Sequence, residues 1–240
     1  MVVLSRFDDN DSPGAVGHSR SAGVRTQGKS KGKKTMIYEF RKYDLKPRTL
    51  AQYDSILEKS LGAGRLNHSP LFGYWYSEFG QLNQALHIWP YRDLQERTEV
   101  REQVSSLDSW PPPTSPLLAG QNTEIYVPAP FNDESVTGEQ GPYYELRTYM
   151  YAAGDIPKVI DAWSKAIDER RKHSSFIGAW YTEIGDLNRW AHIWAYTSLE
   201  ERARVRAEMI ERKIWPAPGG PVPLSQANTL YLPFSFSPLT

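Results

Sequence analysis

The chain of 240 residues contains no cysteine. That excludes disulfides, thiolate nucleophiles, thiolate-ligated haem and cysteine-based zinc sites together. It also lacks net charge, with Lys+Arg and Asp+Glu both at 28, so no global field draws it to nucleic acid or to an anionic membrane. No window reaches the roughly 18 uninterrupted apolar residues of a membrane helix. Gly-rich phosphate loops, a nucleophile elbow and zinc-ligand spacings are missing too. The expected partners therefore include no nucleic acid and no membrane insertion, and no cofactor or metal is implied.

What the chain has in quantity is aromatic residues, 12% of a composition that is 40% hydrophobic. Many of them fall in a segment that occurs twice. Gly73-Tyr74-Trp75-Tyr76-Ser77-Glu78-Phe79-Gly80-Gln81-Leu82-Asn83, continuing to Leu86-His87-Ile88-Trp89-Pro90-Tyr91, returns as Gly178-Ala179-Trp180-Tyr181-Thr182-Glu183-Ile184-Gly185-Asp186-Leu187-Asn188 and Ala191-His192-Ile193-Trp194-Ala195-Tyr196. The offset is 105 residues, a domain-sized period rather than that of a solenoid. The echo extends to Tyr38-Glu39-Phe40-Arg41 with Tyr144-Glu145-Leu146-Arg147, and to Trp110-Pro111 with Trp215-Pro216. The boundaries that follow are a first unit at 36–128, a linker at 129–142 rich enough in Gly, Asp and Glu to be flexible, and a second unit at 143–240.

Residues 1–35 differ in kind. They carry few large apolar residues, and seven basic side chains stand against Asp8, Asp9 and Asp11. Such a segment reads as a disordered leader or an over-extended start ahead of Met36, because it cannot bury enough surface to offset its ordering entropy. The three acids argue against a mitochondrial presequence.

Each unit carries the same order of elements. A strand opens it, Ile37 to Tyr43 or Tyr143 to Tyr149, followed by a helix with Leu50, Tyr53, Leu57 and Leu61, or Val159, Ile160, Trp163 and Ile167, at three- and four-residue spacing. A strand pair follows, then a helix announced by capping boxes at Asp93-Leu94-Gln95-Glu96 and Ser198-Leu199-Glu200-Glu201, then a closing strand after Trp-Pro. The order βαββαβ predicts an α+β fold of tandem ferredoxin-like units. Their bare sheet faces should pack on each other, giving a dimeric α+β barrel as a pseudo-dimer within one chain.

Period-two alternation then sorts the strand residues. Glu39, Arg41 and Tyr43 share a face, to which His87, Trp89, Tyr91 and Tyr126 are assigned in the first unit. Glu145, Arg147, Tyr149, His192, Trp194, Tyr196 and Tyr231 are their counterparts. If the apolar set faces the helices, this polar and aromatic set lines the barrel lumen. His87, His192, Glu39 and Glu145 are the candidate catalytic residues, because an imidazole titrating near neutrality beside a carboxylate can move protons. Arg41, Tyr43, Trp89, Tyr91, Tyr126, Arg147, Tyr149, Trp194, Tyr196 and Tyr231 are the candidate binding residues. The structural reading of the same residues is a satisfied core, with Glu39 paired to Arg41, Glu145 to Arg147, and each His donating to a carboxylate. Glu78 and Glu183 read as solvated hairpin residues, Trp110 and Trp215 as packing anchors, and Glu200 to Arg206 as a solvated helix face. Because Tyr74 is replaced by Ala179 and Ala85 by Trp190, the lumen is expected to be lopsided and to take one ligand.

The Ile37-Tyr38-Glu39-x-Arg41-x-Tyr43 opening, its echo Tyr144-Glu145-Leu146-Arg147-Thr148-Tyr149, the run Trp180-Tyr181-Thr182-Glu183-Ile184-Gly185 and His192-Ile193-Trp194-Ala195-Tyr196 together resemble the NIPSNAP family in its two-repeat form. The resemblance runs from Met36 to Ser237-Pro238-Leu239. It implies a dimeric α+β barrel, shared with cofactor-free monooxygenases, isomerases and haem-binding relatives. The lumen reading adds a small, partly apolar ligand bound in the barrel lumen, a homo-oligomer among the expected partners, and, if the protein is an enzyme, an isomerase, lyase or cofactor-independent monooxygenase using the His and Glu for proton transfer. A noncatalytic interaction or trafficking module is the alternative. Animal members resemble mitochondrion-associated proteins, whereas Trp110-Pro and Trp215-Pro look closer to bacterial members, so the placement is cytoplasmic with mitochondrial as alternative.

Overall fold

The computed structural model describes residues 36–240; the leader reading at 1–35 lies outside the described residues. The first repeat contains β1 (Ile37–Leu45), α1 (Leu50–Gly62), β2 (Gly73–Phe79), β3 (Gln84–Tyr91), α2 (Leu94–Ser105) and β4 (Leu118–Pro128). The second contains β5 (Tyr143–Met150), α3 (Ile156–Arg170), β6 (Ser175–Ile184), β7 (Arg189–Tyr196), α4 (Leu199–Glu211) and β8 (Ser225–Pro233). The βαββαβ order read from the sequence is the order found. Pro47 lies ahead of α1 rather than in its first turn, and β4 begins six residues before the expected Glu124.

The helix starts follow from local chemistry. Asp93 Oδ1 accepts from the Glu96 backbone N–H at 2.8 Å, and Ser198 Oγ from that of Glu201 at 3.0 Å. The returning glutamates reach one residue past the cap, accepting from the backbone N–H of Arg92 and of Thr197. Each helix therefore starts where its cap fixes it.

The strands close into one barrel in the order β1-β3-β2-β8-β5-β7-β6-β4. All neighbours are antiparallel, and the two seams join repeats, β2 with β8 and β4 with β6. Edge-to-edge closure leaves no free edge. It also creates an interior filled by side chains from both repeats, as an eight-stranded barrel requires. Tyr38, Phe40, Trp75, Leu86, Ile88 and Tyr126 of the first repeat meet Tyr144, Leu146, Ile177, Trp180, Ile193 and Tyr231 of the second. Trp180 lies 5.6 Å from Tyr38, 5.2 Å from Phe40 and 5.8 Å from Phe72, ring centre to ring centre.

This reverses one sequence expectation. The apolar alternate set fills the lumen, and the Glu-Arg-His-Trp set faces outward, towards the helices. The helices cover that outer face with Tyr53, Leu57 and Leu61 of α1 and Val100 and Val104 of α2, and with Val159, Trp163 and Ile167 of α3 and Val205 and Met209 of α4. Glycine makes room inside: a Cβ on Gly73 would fall 2.0 Å from the Trp75 ring, and one on Gly178 2.4 Å from that of Trp180. Each indole leans back over the glycine two residues before it.

The linker is also more than a flexible tether. After β4, the Ala129 N–H donates to the Ala179 carbonyl at 2.9 Å, and Asn132 brackets Ala179 with two further hydrogen bonds. After β8, the Phe234 N–H donates to the Tyr74 carbonyl at 3.1 Å, and Ser237 Oγ accepts from the Tyr74 N–H at 3.1 Å. Each repeat thus sends an arm across the seam to the β2-type strand of the other.

Because the neighbours of Trp180 in the lumen belong to the other repeat, Trp180→Ala should destabilise both repeats together. The expected cost is about 3–5 kcal/mol in urea unfolding, with one transition retained. A loss below about 1 kcal/mol, or two separate transitions, would contradict a shared core.

Candidate functional site

Between the outer face of each half-sheet and its two helices lies a cavity, ≈ 380 Å³ in the first repeat and ≈ 390 Å³ in the second. Both sizes fall within the range of ligand pockets. Register sets their walls. Arg41 lies opposite His87 and Glu39 opposite Trp89 across β1 and β3; Arg147 lies opposite His192 and Glu145 opposite Trp194 across β5 and β7.

The carboxylates are buried and Oε1 of each is saturated with donors, whereas Oε2 of Glu145 is buried without a hydrogen bond. Glu39 Oε1 accepts from Arg41 Nη1 at 2.7 Å, Arg97 Nη2 at 2.6 Å and Thr123 Oγ1 at 3.0 Å. Glu145 Oε1 accepts from Arg147 Nη1 at 2.9 Å, Arg202 Nη2 at 2.6 Å and Asn228 Nδ2 at 3.0 Å. Burial opposes their ionisation, but the hydrogen bond from Arg97 or Arg202 and the charges of the flanking arginines overcome it and hold both below the ordinary 4.5. Arg41 Nε and Arg147 Nε donate in turn to the Tyr43 and Tyr149 hydroxyls at 2.8 and 2.6 Å.

The histidines are held differently from the structural reading, in which each donates to a carboxylate. Trp89 Nε1 donates to His87 Nδ1 at 2.7 Å, and Trp194 Nε1 to His192 Nδ1 at 3.0 Å. With Nδ1 accepting, the neutral ring carries its proton on Nε2. That Nε2 is buried in both rings and makes no hydrogen bond. Burial, then the charges of Arg41 and Arg65, or of Arg147, Arg170 and Arg206, keep each imidazole well below its ordinary 6.5. Each histidine is a fixed neutral donor rather than a ready base.

A third pair came from outside the strands. Arg65 follows α1 and Arg170 ends α3, and each is only 3% exposed. Their guanidinium carbons sit 4.0 Å from the Trp89 and Trp194 ring centres, and Nη1 donates to Ser69 or Ser174 Oγ at 2.9 or 2.6 Å. Neither forms an ion pair among the described residues, and Nε of each is buried without a partner.

Of the residues assigned from the sequence, Glu39, Arg41, Tyr43, His87, Trp89 and Tyr91 come together in one cavity and Glu145, Arg147, Tyr149, His192, Trp194 and Tyr196 in the other. Tyr126 and Tyr231 do not join them. Both face the lumen, where Tyr126 donates to Glu124 Oε2 at 2.9 Å and Tyr231 to Gln84 Oε1 at 2.6 Å. Glu78 and Glu183 are exposed, as expected. Trp110 and Trp215 are cavity walls as well as anchors, Trp110 lying 5.2 Å from the Arg65 guanidinium and Trp215 4.4 Å from the Trp163 ring. The α4 face read as solvated turns Arg202 and Arg206 towards Glu145. The signal for these arginines was present: Arg65, Arg97 and Arg101 recur at the same 105-residue offset as Arg170, Arg202 and Arg206.

The lopsided lumen with a single ligand gives way to two cavities. The bulk lost from Tyr74 to Ala179 returns from Ala85 to Trp190, and the volumes stay nearly equal. The deep walls differ in chemistry: Tyr74 stacks on His87 at 4.4 Å and 4° in the first, whereas Trp163 meets His192 edge-on at 4.8 Å in the second.

An eight-stranded barrel of two ferredoxin-like halves, each with a cavity under its helices, defines the class of dimeric α+β barrel proteins. The NIPSNAP family profile matches residues 38–133 and again residues 144–238, and the chain belongs to that family. Human NipSnap homolog 3A is 33% identical over 214 residues, covering 85% of this chain and 86% of its own. The NipSnap homolog of Dictyostelium discoideum is 27% identical over 186 residues, covering 76% and 79%. Among solved structures, a provisionally assigned monooxygenase from Lactobacillus acidophilus superposes with a TM-score of 0.62 at 14% identity, over 82% of this chain and 93% of that one. That likeness is one of fold. No helix among the described residues is long and apolar enough to cross a membrane.

The histidines give the site a pH signature. With folded-state values below the ordinary 6.5, the unfolded chain binds these protons first, so the stability from burying neutral rings is full above about 6.5 and is lost as pH falls from there. Two such groups give a slope of about 2.7 kcal/mol per pH unit. Glu39 and Glu145, held below 4.5, act in the same direction only at more acidic pH. Replacing both histidines with Asn keeps an acceptor for each indole and removes the titration. Urea unfolding of H87N/H192N should therefore be nearly flat between about pH 7 and 5 while the parent loses stability; a flat parent curve would contradict the buried neutral rings.

Proposed function

We propose that this NIPSNAP protein binds a small, partly apolar molecule in each of its two helix-covered cavities, not in the barrel lumen. One observation carries the reading: two cavities of similar size present the same Glu, Arg, Tyr, His and Trp residues, and in each a buried imidazole N–H and a buried guanidinium Nε lack partners. A purely structural polar layer would satisfy these atoms, because a buried unpaired donor costs about 1–3 kcal/mol. A noncatalytic module with an inert interior is the alternative, and it would carry the desolvation cost of these unpaired donors in both repeats.

The chemistry this arrangement favours is holding rather than shuttling protons. Glu39 and Glu145 are ionised and engaged by three donors each, and the histidine Nδ1 atoms are occupied by indoles. The acid–base role suggested by residue type would have to run through Nε2–H, which suits stabilising a negative oxygen better than removing a proton. A role in catalysis would then be electrostatic.

The test uses rim positions that packing does not need. Ser105 and its counterpart Ile210 are exposed and line the two cavities at the ends of α2 and α4. Ser105→Trp and Ile210→Trp should leave thermal stability nearly unchanged. In native mass spectrometry after incubation with a metabolite extract, the parent should carry up to two small molecules per chain, each single variant one, and the double variant none. Undiminished binding by the double variant would place the ligand elsewhere and overturn the reading.

A further inference from the structure

We infer that the ligand in each cavity carries an anionic oxygen group, received by Arg65 and His87 in the first repeat and by Arg170 and His192 in the second, with a planar apolar body against the tryptophans. The inference rests on the cavity reading above and names the chemical class of its occupant.

Charge supports it first. Arg41, Arg65 and Arg101 line the first cavity against Glu39 alone, and Arg147, Arg170 and Arg206 line the second against Glu145 alone. Each glutamate is further engaged from α2 or α4 by Arg97 or Arg202. Oε1 of the single carboxylate is therefore engaged, and the positive charge left over lies on the buried Arg65 and Arg170 and on Arg101 and Arg206 at more exposed positions.

Geometry supports it next. A guanidinium presents a planar fork suited to carboxylate or phosphate oxygens and cannot shed its proton. Removing such a group from water is costly unless it is paired. Arg65 and Arg170 are buried with no carboxylate, and are held in place by Trp rings and by Ser69 or Ser174. The indole bonds to Nδ1 fix each His with its Nε2–H free. Unpaired donors prevail on these walls; against them stands one buried unpaired acceptor, Glu145 Oε2 in the second cavity, 3.9 Å from Arg206 Nη1, so a group that accepts complements the site. A neutral alcohol or amide would leave the guanidinium charge unmet.

The experiment measures binding of 2-naphthoate, 2-naphthyl phosphate and the neutral 2-naphthamide to the full chain by isothermal titration calorimetry. At least one of the two anions should bind at two sites per chain and at least about tenfold tighter than the amide; the ratio between the anions reports which head group fits. In R65Q/R170Q the preference for anions should disappear while amide binding persists, showing that the cavities are intact. Each single variant should leave one anion-selective site. If the double variant does not fold, R65K/R170K keeps the charge without the fork and should lower the anion-to-amide ratio severalfold.

Equal affinity for anions and amide, or a preference unchanged in either arginine double variant, would overturn the anion assignment and leave the cavity reading standing. Anion binding that survives S105W/I210W at parent affinity would overturn both. No binding by any of the three probes up to about 5 mM would also overturn both.

Discussion

Closure of the barrel through its two inter-repeat seams is the constraint on which everything else depends. Once β2 pairs with β8 and β4 with β6, the inner faces of both half-sheets bound a space that only side chains can fill. Tyr38, Phe40, Trp75 and Trp180 fill it, and Gly73 and Gly178 let the indoles lie flat enough to fit. The alternate residues must then face outward, so Glu39, Arg41 and His87 lie under helices instead of in a lumen. The two helices of each repeat cover that outer face. Their long and short side chains, Leu57 or Trp163 above and Arg65 or Arg170 beside, leave the cavities.

The same closure explains what could be read from the sequence. Duplication, element order and the alternate sorting of strand residues are local properties, and His87, Arg41 and Glu39 were grouped correctly because register follows from alternation. Which group faced inward was not local. The inference that apolar residues seek the helices would hold for an isolated ferredoxin-like unit, but a barrel offers a second and drier apolar environment. Tyr126 and Tyr231 were misgrouped for a related reason: nothing in a single strand says how β4 or β8 is phased against β1 or β5, and the pairing of Tyr38 with Tyr126 turns that tyrosine into the lumen. Arg65 and Arg170 lie in irregular or terminal helix positions, where periodicity gives no face. Only their recurrence at the repeat offset marked them.

The arms that cross the seams tie the cavities to the duplication. Tyr74, whose ring stacks on His87, has its backbone bracketed by Phe234 and Ser237 of the second repeat, and Ala179 is bracketed by Ala129 and Asn132 following the first. Phe234 packs against Tyr53 and Tyr74, while Phe131 stacks on Trp163. Each cavity is lined by its own repeat, and chain from the other side packs behind its deep wall.

The two cavities are alike at one end and differ at the other. The charged end of each cavity, built from strand register and a few arginines, is the same in both. The deep end changed in a coordinated way: Tyr74 became Ala179, Ala85 became Trp190 and Leu57 became Trp163, so phenol hydroxyls give way to indoles while the volume holds near 380–390 Å³. Independent drift in a close-packed wall would leave voids or overlaps, each costing about 1–3 kcal/mol. Keeping one end fixed and exchanging bulk at the other retains the same charged wall while altering what lies opposite it. The first cavity places a hydrogen-bonded pair of phenols there, Tyr53 with Tyr74, and the second an apolar surface of Val159 and Trp163. Two copies that share a polar end and differ in the wall behind it form two related cavities, not one cavity duplicated.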